Sequence, residues 1–230
     1  MGIWEKLQNV DKRVFYLLLT LAIGIPIVMP LGLPVRITDM TKPAYDFINT
    51  LPEGSAVVVG FDYEPGNEID LNPQAIALFH QFATNKLKVV TMSSFPPSPL
   101  FAEQTTKVME EEYGYKYGED YVNLGYYAGG ESTFVAFAED PIKTFPKDYR
   151  GNETASLPIM ANLKNLKDFS LAVTLNDGPA DGLEISAMIR QANGAYGLPV
   201  LIGCTPVMSA SNIQYIQSKQ ALGILIGLSG

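Results

Sequence analysis

Three acidic residues follow predicted buried strands and could together form a hard-cation or acid–base site. Asp62 and Glu64 come directly after the first strand, and Asp177 follows the fourth. Carboxylate oxygens are the ligands that Mg²⁺ prefers, and a carboxylate can also act as a general base on water. The same residue types are common in turns and helix caps, so the grouping has low specificity. It leaves a hydrolase as one alternative.

The single cysteine and the single histidine are weak candidates for nucleophilic catalysis. Cys204 ends a predicted strand and precedes a helix expected to start at Thr205-Pro206, where a helix dipole can lower a thiol pKa. A nucleophile elbow needs glycine two residues before and after the nucleophile, but Ile202 and Pro206 stand there. His80 lies in the middle of a predicted helix and is poorly placed to act as the base. Both residues are therefore expected to pack structurally.

A glycine pair before a predicted helix could form part of a phosphate-binding loop. Gly129 and Gly130 follow the third strand, and a glycine-rich turn at a helix start can present backbone N–H groups to an anion. The GxGxxG and GxxxxGK[ST] patterns are absent, and Glu131 would repel phosphate. No nucleotide or other cofactor is therefore expected.

Short apolar runs alternate with helical segments after residue 40, and this alternation predicts an α/β fold. The candidate strands are Ala56–Phe61, Leu87–Met92, Tyr121–Gly125, Leu171–Leu175, Pro199–Gly203 and Leu222–Leu228. Most lack period-2 alternation, as expected when helices cover both faces of a parallel sheet. We expect a Rossmann-like, mostly parallel sheet of about six strands flanked by helices. Ligands of such sheets bind outside the carboxyl ends of the strands. The candidate binding residues at those ends are Asp62, Glu64, Ser93, Ser94, Gly129, Gly130, Asp177 and Cys204.

Prolines mark the predicted starts of several helices, because a capping residue followed by proline satisfies or removes free N–H groups. Such starts stand at Thr41–Pro43, Asn72-Pro73, Ser98-Pro99, Gly178-Pro179 and Thr205-Pro206. Prolines also interrupt residues 139–168. We expect this segment, called the excursion, to depart from the β–α alternation and to contain a short helix near Ile159–Leu166. The apolar segment Leu222–Leu228 has no covering helix after it. It can be an edge strand, the approach to a second membrane segment, or a surface for a partner.

The longest uncharged stretch predicts a membrane anchor near the N-terminus. Residues 14–35 carry no charge, and about 20 apolar residues span the hydrocarbon core of a bilayer. We expect a short amphipathic lead-in over 1–13, a single transmembrane helix over 14–35 and an α/β domain over 36–230. A cleaved signal peptide is an alternative, but no small-x-small cleavage site follows the apolar run. The expected anchor residues are Trp4, Phe15, Leu18, Leu21 and Ile25.

The charge distribution predicts an orientation and excludes one class of partner. Lys6, Lys12 and Arg13 precede the apolar stretch, whereas Arg36 and Lys42 follow it. The positive-inside rule then places the N-terminus in the cytoplasm and the main domain outside. The net charge of -8, with scattered Lys and Arg, argues against nucleic-acid binding.

Three functions remain in order of preference. The first is a single-pass protein whose extracytoplasmic domain is a non-catalytic structural, assembly or binding component of a homo- or hetero-oligomeric membrane complex. A dense group of tyrosines between residues 113 and 127 favours such contacts. The second is an anchored small-molecule binding domain that uses the strand ends. The third is a hydrolase that uses Cys204 or the Asp62, Glu64 and Asp177 group.

Overall fold

Residues 11–29, 39–178 and 183–229 of the 230-residue chain are described by a computed structural model. The chain divides into two units, Met1–Arg36 and Ile37–Gly230. Trp4, residues 30–35 of the predicted span and Pro179 lie outside the described residues.

The first unit contains helix α1, Lys12–Val28, in which no residue is buried. The Asp11 side chain caps it by accepting a hydrogen bond from the N–H of Arg13 at 2.9 Å. Pro26 lies inside the helix, which begins two residues before the predicted span 14–35. Over the ranges that the structure describes, no helix is both long and apolar enough to cross a membrane.

The second unit is built on a six-stranded sheet. Its strands are β1 Ala56–Asp62, β2 Lys88–Ser93, β3 Tyr121–Tyr126, β4 Leu171–Asn176, β5 Val200–Cys204 and β6 Gly223–Ile226. The order is β3-β2-β1-β4-β5-β6, and all neighbouring strands are parallel. The predicted α/β fold with a Rossmann-like sheet is confirmed. Each strand begins within one residue of its predicted start.

Helices cover both faces of the sheet, which explains why its strands read as continuous apolar runs. In β1, Val57, Val59 and Phe61 belong to one core layer, whereas Ala56 and Val58 belong to the other. The first layer is covered by α2 Lys42–Ile48, α3 Glu68–Thr84 and α4 Ser98–Tyr113. The second is covered by α5 Glu131–Glu139, α6 Pro141–Thr144, α7 Ile185–Met188 with the π-helix Ile189–Ala195, and α8 Ser209–Gln217.

Two helix starts and one helix cap differ from the prediction. Helix α3 begins at Glu68, so Pro73 lies inside it and not in its first turn. The acidic side chains of Glu68 and Asp70 occupy that turn, where the helix dipole favours them. Thr41 makes no side-chain cap for α2, because its hydroxyl donates to the carbonyl of Ile224 at 3.0 Å. Residues after Thr205 form a 3-10 turn, Pro206–Met208, before α8 begins.

The predicted excursion is irregular, but its expected helix near Ile159–Leu166 is replaced by 3-10 turns. These turns are Thr154–Ser156, Pro158–Asn162 and Leu166–Asp168. Ile159, Met160 and Leu166 are buried in the second core layer, so apolar packing helps to hold the excursion against the sheet.

Gly203 in β5 allows α3 to approach the sheet closely. A Cβ atom there would lie 2.5 Å from Leu175 Cδ2 and 2.6 Å from Gln74 Oε1. We expect Gly203→Ala to lower the free energy of unfolding by about 1–3 kcal/mol, because a well-packed core resists added volume. Chemical denaturation in detergent micelles measures the change. Gly66→Ala is the matched control, since nothing lies within 4 Å of its Cβ position; equal losses in both variants would contradict this packing account.

Candidate functional site

The strand order reverses between β1 and β4, so the crevice outside their carboxyl ends is the expected ligand site of this sheet. Asp62 and Asn176 are paired in register at the ends of the two strands. Asp177 and Gly178 follow Asn176 in the β4 loop. The predicted residues of β1 and β4 therefore meet at the edge where the topology changes.

Asp62 is the buried acid of this edge, with only 3% of its surface exposed. Its Oδ1 accepts hydrogen bonds from the Ser94 N–H at 2.8 Å and the Ser94 hydroxyl at 2.7 Å. Burial nevertheless raises the pKa of the Asp62 carboxyl to about 6, against the opposing hydrogen bonds from Ser94 and from the backbone of Leu183. The negative charge of Asp177 adds to the increase. A carboxyl with a pKa near neutrality can exchange a proton under physiological conditions.

Asp177 holds two loops together. Its Oδ2 accepts hydrogen bonds from the backbone N–H of Glu64 at 2.6 Å and from Asn67 Nδ2 at 2.9 Å. Glu64 thus contacts Asp177 through its main chain, and its own residue surface is exposed. Among the residues that the structure describes, no group of three His, Cys, Asp or Glu side chains is arranged to hold a metal ion. The two hydrogen bonds accepted by Asp177 link the loop after β4 to the loop after β1.

Two buried polar side chains shape the neighbouring turns. The Ser93 hydroxyl donates to the carbonyl of Phe95 at 2.8 Å and accepts from its N–H at 3.0 Å. Asn176 donates through Nδ2 to the carbonyl of Leu183 and accepts at Oδ1 from the N–H of Gly178 at 2.8 Å. Ser93 and Asn176 thus satisfy backbone groups where the chain leaves the sheet.

Cys204 is fully buried, and burial raises the pKa of its thiol to about 11 against a hydrogen bond from Asn212. The 3-10 turn after Thr205 also replaces the α-helix whose dipole was expected to lower that pKa. His80 is engaged elsewhere: its Nδ1 lies 3.0 Å from the Tyr113 hydroxyl and 3.7 Å from Glu112 Oε2. The thiolate is thus disfavoured at neutral pH, and the histidine contacts α4.

The glycine pair after β3 forms a turn, and the next residue, Glu131, places a carboxylate at the start of the helix. Gly129 and Gly130 have φ values of +134° and +53°, a region that favours glycine. Glu131 follows at the helix start and pairs with Arg190 at 2.8 Å. Hydrogen bonds from Arg190 and Gln191 lower the pKa of Glu131, which keeps the carboxylate charged. This arrangement disfavours a phosphate at the same helix start.

A cavity of about 240 Å³ opens between the loops that follow β4 and β5. Its lining residues are mostly hydroxyl and amide side chains: Asn176, Gly178, Glu184, Ile185, Ser186, Met208, Ser211, Asn212, Gln214 and Tyr215. Within the described residues none of the eight predicted binding residues lines it, although Asn176 and Gly178 flank Asp177. The remaining lining residues belong to α7, α8 and adjoining loops, and no motif in the sequence marks them.

Comparison with protein-family models, with curated proteins and with solved structures finds no match for the chain.

The raised pKa of Asp62 predicts a pH-dependent stability. In the unfolded chain the carboxyl titrates near 3.8, and in the folded protein near 6. The folded state therefore binds the proton more tightly, and this stabilisation is complete below about pH 4 and lost as the pH rises through 6. We expect the free energy of unfolding of the wild-type chain, minus that of Asp62→Asn, to fall by about 2 kcal/mol between pH 4 and 7.

Denaturant titrations of the two chains at each pH give this difference, in which the other titrating groups cancel. A pH-independent difference would show that hydrogen bonds from Ser94 balance the effect of burial on the Asp62 pKa, and one that increases with pH would show that they outweigh it.

Proposed function

We propose that the chain is a membrane-anchored α/β domain that serves as a non-catalytic assembly or binding component of a membrane protein complex. One observation carries the proposal: from Val14 onward α1 carries no charge, and none of its residues is buried. A helix that is hydrophobic all round needs apolar surroundings, either protein or lipid.

The exposed surface of α1 supports hydrocarbon as those surroundings. Its large apolar side chains are 45% to 81% exposed: Val14, Phe15, Tyr16, Leu17, Leu18, Leu19, Leu21, Ile23, Ile25, Ile27 and Val28. The Thr20 hydroxyl in their midst donates to the carbonyl of Tyr16 at 2.8 Å, so this polar group is satisfied within the helix. The 17 residues of α1 span about 26 Å, most of the roughly 30 Å hydrocarbon core, and the proposed anchor is the whole uncharged stretch 14–35.

The proposed orientation places the N-terminus in the cytoplasm. The cations of Lys6, Lys12 and Arg13 on the N-terminal side outnumber those of Arg36 and Lys42 on the other. The α/β domain is then extracytoplasmic.

Tyrosines near the carboxyl end of β3 support a protein partner. Tyr126, Tyr127 and Tyr149 are 42%, 48% and 45% exposed. Tyrosine is enriched in protein interfaces because it combines a large apolar ring with a polar hydroxyl. Beside them, Arg150 stacks 3.7 Å from the Tyr117 ring centroid and pairs with Glu103 at 2.7 Å. This arrangement holds the Arg150 cation, paired with carboxylates of α4, beside the edge strand β3.

Charges in the middle of α1 should release the protein from membranes. Each arginine at a helix centre costs about 2.5–3.5 kcal/mol of insertion free energy. We expect the wild-type chain to stay in the carbonate-washed membrane pellet and to migrate above its monomer mass in blue-native electrophoresis. Leu18→Arg combined with Leu21→Arg should move most of the protein to the supernatant.

The matched control is Ile69→Arg with Val207→Arg, which changes two apolar side chains that are 72% and 89% exposed on the α/β domain. This control should stay in the pellet. Release of the wild-type chain by carbonate would refute the anchor, and migration only as a bare monomer would refute the complex.

The 240 Å³ cavity favours solute binding as the second candidate function. Glu184 is its one charged lining residue among those described, so the cavity suits a neutral or cationic polar molecule. The hydrolase alternative has less support, because burial raises the pKa of the Cys204 thiol.

A thermal-shift screen of polyols and small amines tests the second candidate. A ligand at 100 times its Kd should add about 2.7 kcal/mol to the stability of the folded chain. Ser211→Trp, at the exposed rim of the cavity, should abolish the shift. Ser218→Trp, at the exposed end of α8, should retain it. A shift that survives Ser211→Trp would place the ligand elsewhere.

A further inference from the structure

A second cavity, of about 440 Å³, lies between α2 and α3 above β5 and β6. Its volume falls within the roughly 300–1,000 Å³ typical of small-molecule sites. The floor is formed by Leu201 and Leu225, and the walls by Ile48 and Leu78. These four side chains come from four different elements and meet only in the folded domain.

The cavity exists because α2 is short and is held at a fixed position. Gln81 of α3 donates through Nε2 to the carbonyl of Tyr45 at 2.9 Å and to Asn49 Oδ1 at 3.1 Å. At the other side, Gly223 allows α2 to touch β6, since a Cβ there would lie 2.8 Å from Ala44 Cβ. These contacts fix both ends of α2 and leave the space beside α3 open.

The chemistry of the lining selects the occupant. A peptide segment placed there would bury backbone N–H and C=O groups against aliphatic walls, and unpaired groups of that kind are costly. A hydrocarbon chain has no such groups and gains from leaving water. At roughly 30 Å³ for each water-sized group, 440 Å³ holds most of one long acyl chain.

The rim of the cavity carries charges of both signs. Asp39 and Lys42 line it, and the Lys42 ammonium pairs with the exposed Asp46 carboxylate at 2.7 Å. Exposed pairs of this kind are weak, so a phosphate can compete for the ammonium. The Asp39 carboxylate can in turn face a choline or ethanolamine cation. The rim therefore matches a zwitterionic headgroup better than a bare anion.

We propose that this cavity holds one acyl chain of a zwitterionic membrane lipid. The proposal rests on the membrane anchor proposed above. In the sequence, three residues, 36–38, separate the proposed span 14–35 from Asp39 of the rim. The four chain steps from residue 35 to Asp39 reach at most about 15 Å, so the proposed anchor would keep the rim within reach of lipid headgroups.

Photo-crosslinking of the full chain in nanodiscs tests the proposal. The probe is lysophosphatidylcholine with a diazirine in its acyl chain, and labelled residues are mapped by tandem mass spectrometry. We expect label on Ile48, Leu78 and Leu225, and its displacement by excess unlabelled lysophosphatidylcholine. Ala77→Trp should reduce this label about tenfold or more, a loss of at least about 1.4 kcal/mol, because the exposed Ala77 lines the cavity.

Ala210→Trp is the matched control, since Ala210 is an exposed alanine of α8. It should leave the cavity label unchanged. Circular dichroism shows whether Ala77→Trp is folded. If this variant is unfolded, displacement of the wild-type label by unlabelled lysophosphatidylcholine tests the lipid site instead.

The labelling of residues 14–35 separates the two proposals. Label there without displaceable label in the cavity would overturn the lipid site and keep the anchor. Displaceable cavity label without label on residues 14–35 would overturn the anchor and keep an amphiphile site. Cavity label that neither competition nor Ala77→Trp reduces would also refute the lipid site.

Discussion

Exposed hydrocarbon on α1 is the constraint from which the rest of the account follows. Apolar surface in water costs roughly 25 cal/mol per Å² relative to apolar surroundings. Side chains such as Leu17, Leu18 and Leu19 are each about 58–60% exposed, and none is covered within its own unit. Placing this helix in a bilayer removes that cost. The proposed location of the α/β domain, its orientation and its access to lipid all depend on this one solvation term.

The acidic side chains near the carboxyl ends of the strands are hydrogen-bonded or ion-paired to other groups of the protein. Asp62 is satisfied by Ser94, Asp177 by the Glu64 backbone and Asn67, and Glu131 by Arg190. Each carboxylate therefore has partners from the protein itself. This pairing leaves the neighbouring cavity, whose lining has Glu184 as its one charged residue among those described, as the more accessible surface.

Local sequence patterns predict the sheet well, because burial on both faces demands uninterrupted apolar runs such as Ala56–Phe61. Residues at strand ends are predicted for the same reason, since the chain must turn there. Helix starts are predicted less well. A proline rule places a start at Pro73, but the apolar face of α3 begins at Leu71 and acidic residues favour the preceding turn.

Cavities cannot be predicted from local patterns. Ile48, Leu78, Leu201 and Leu225 meet because α2 is held by Gln81 and Gly223, contacts between residues far apart in the sequence. The pKa of Cys204 shows the same limit, because it depends on how completely the folded core covers the thiol.

The most direct test of the central claim uses electron paramagnetic resonance of nitroxide labels on α1. It measures how often oxygen and a water-soluble nickel chelate collide with each label. Spin labels on cysteines at 17, 18, 19 and 20 point in all directions, because consecutive helix residues are about 100° apart. Cys204 is buried, and unsubstituted protein gives the background signal. A helix surrounded by lipid should show high accessibility to oxygen and low accessibility to a water-soluble nickel chelate at all four positions. Low accessibility to both on one face, or high nickel accessibility, would mean that protein or water surrounds α1.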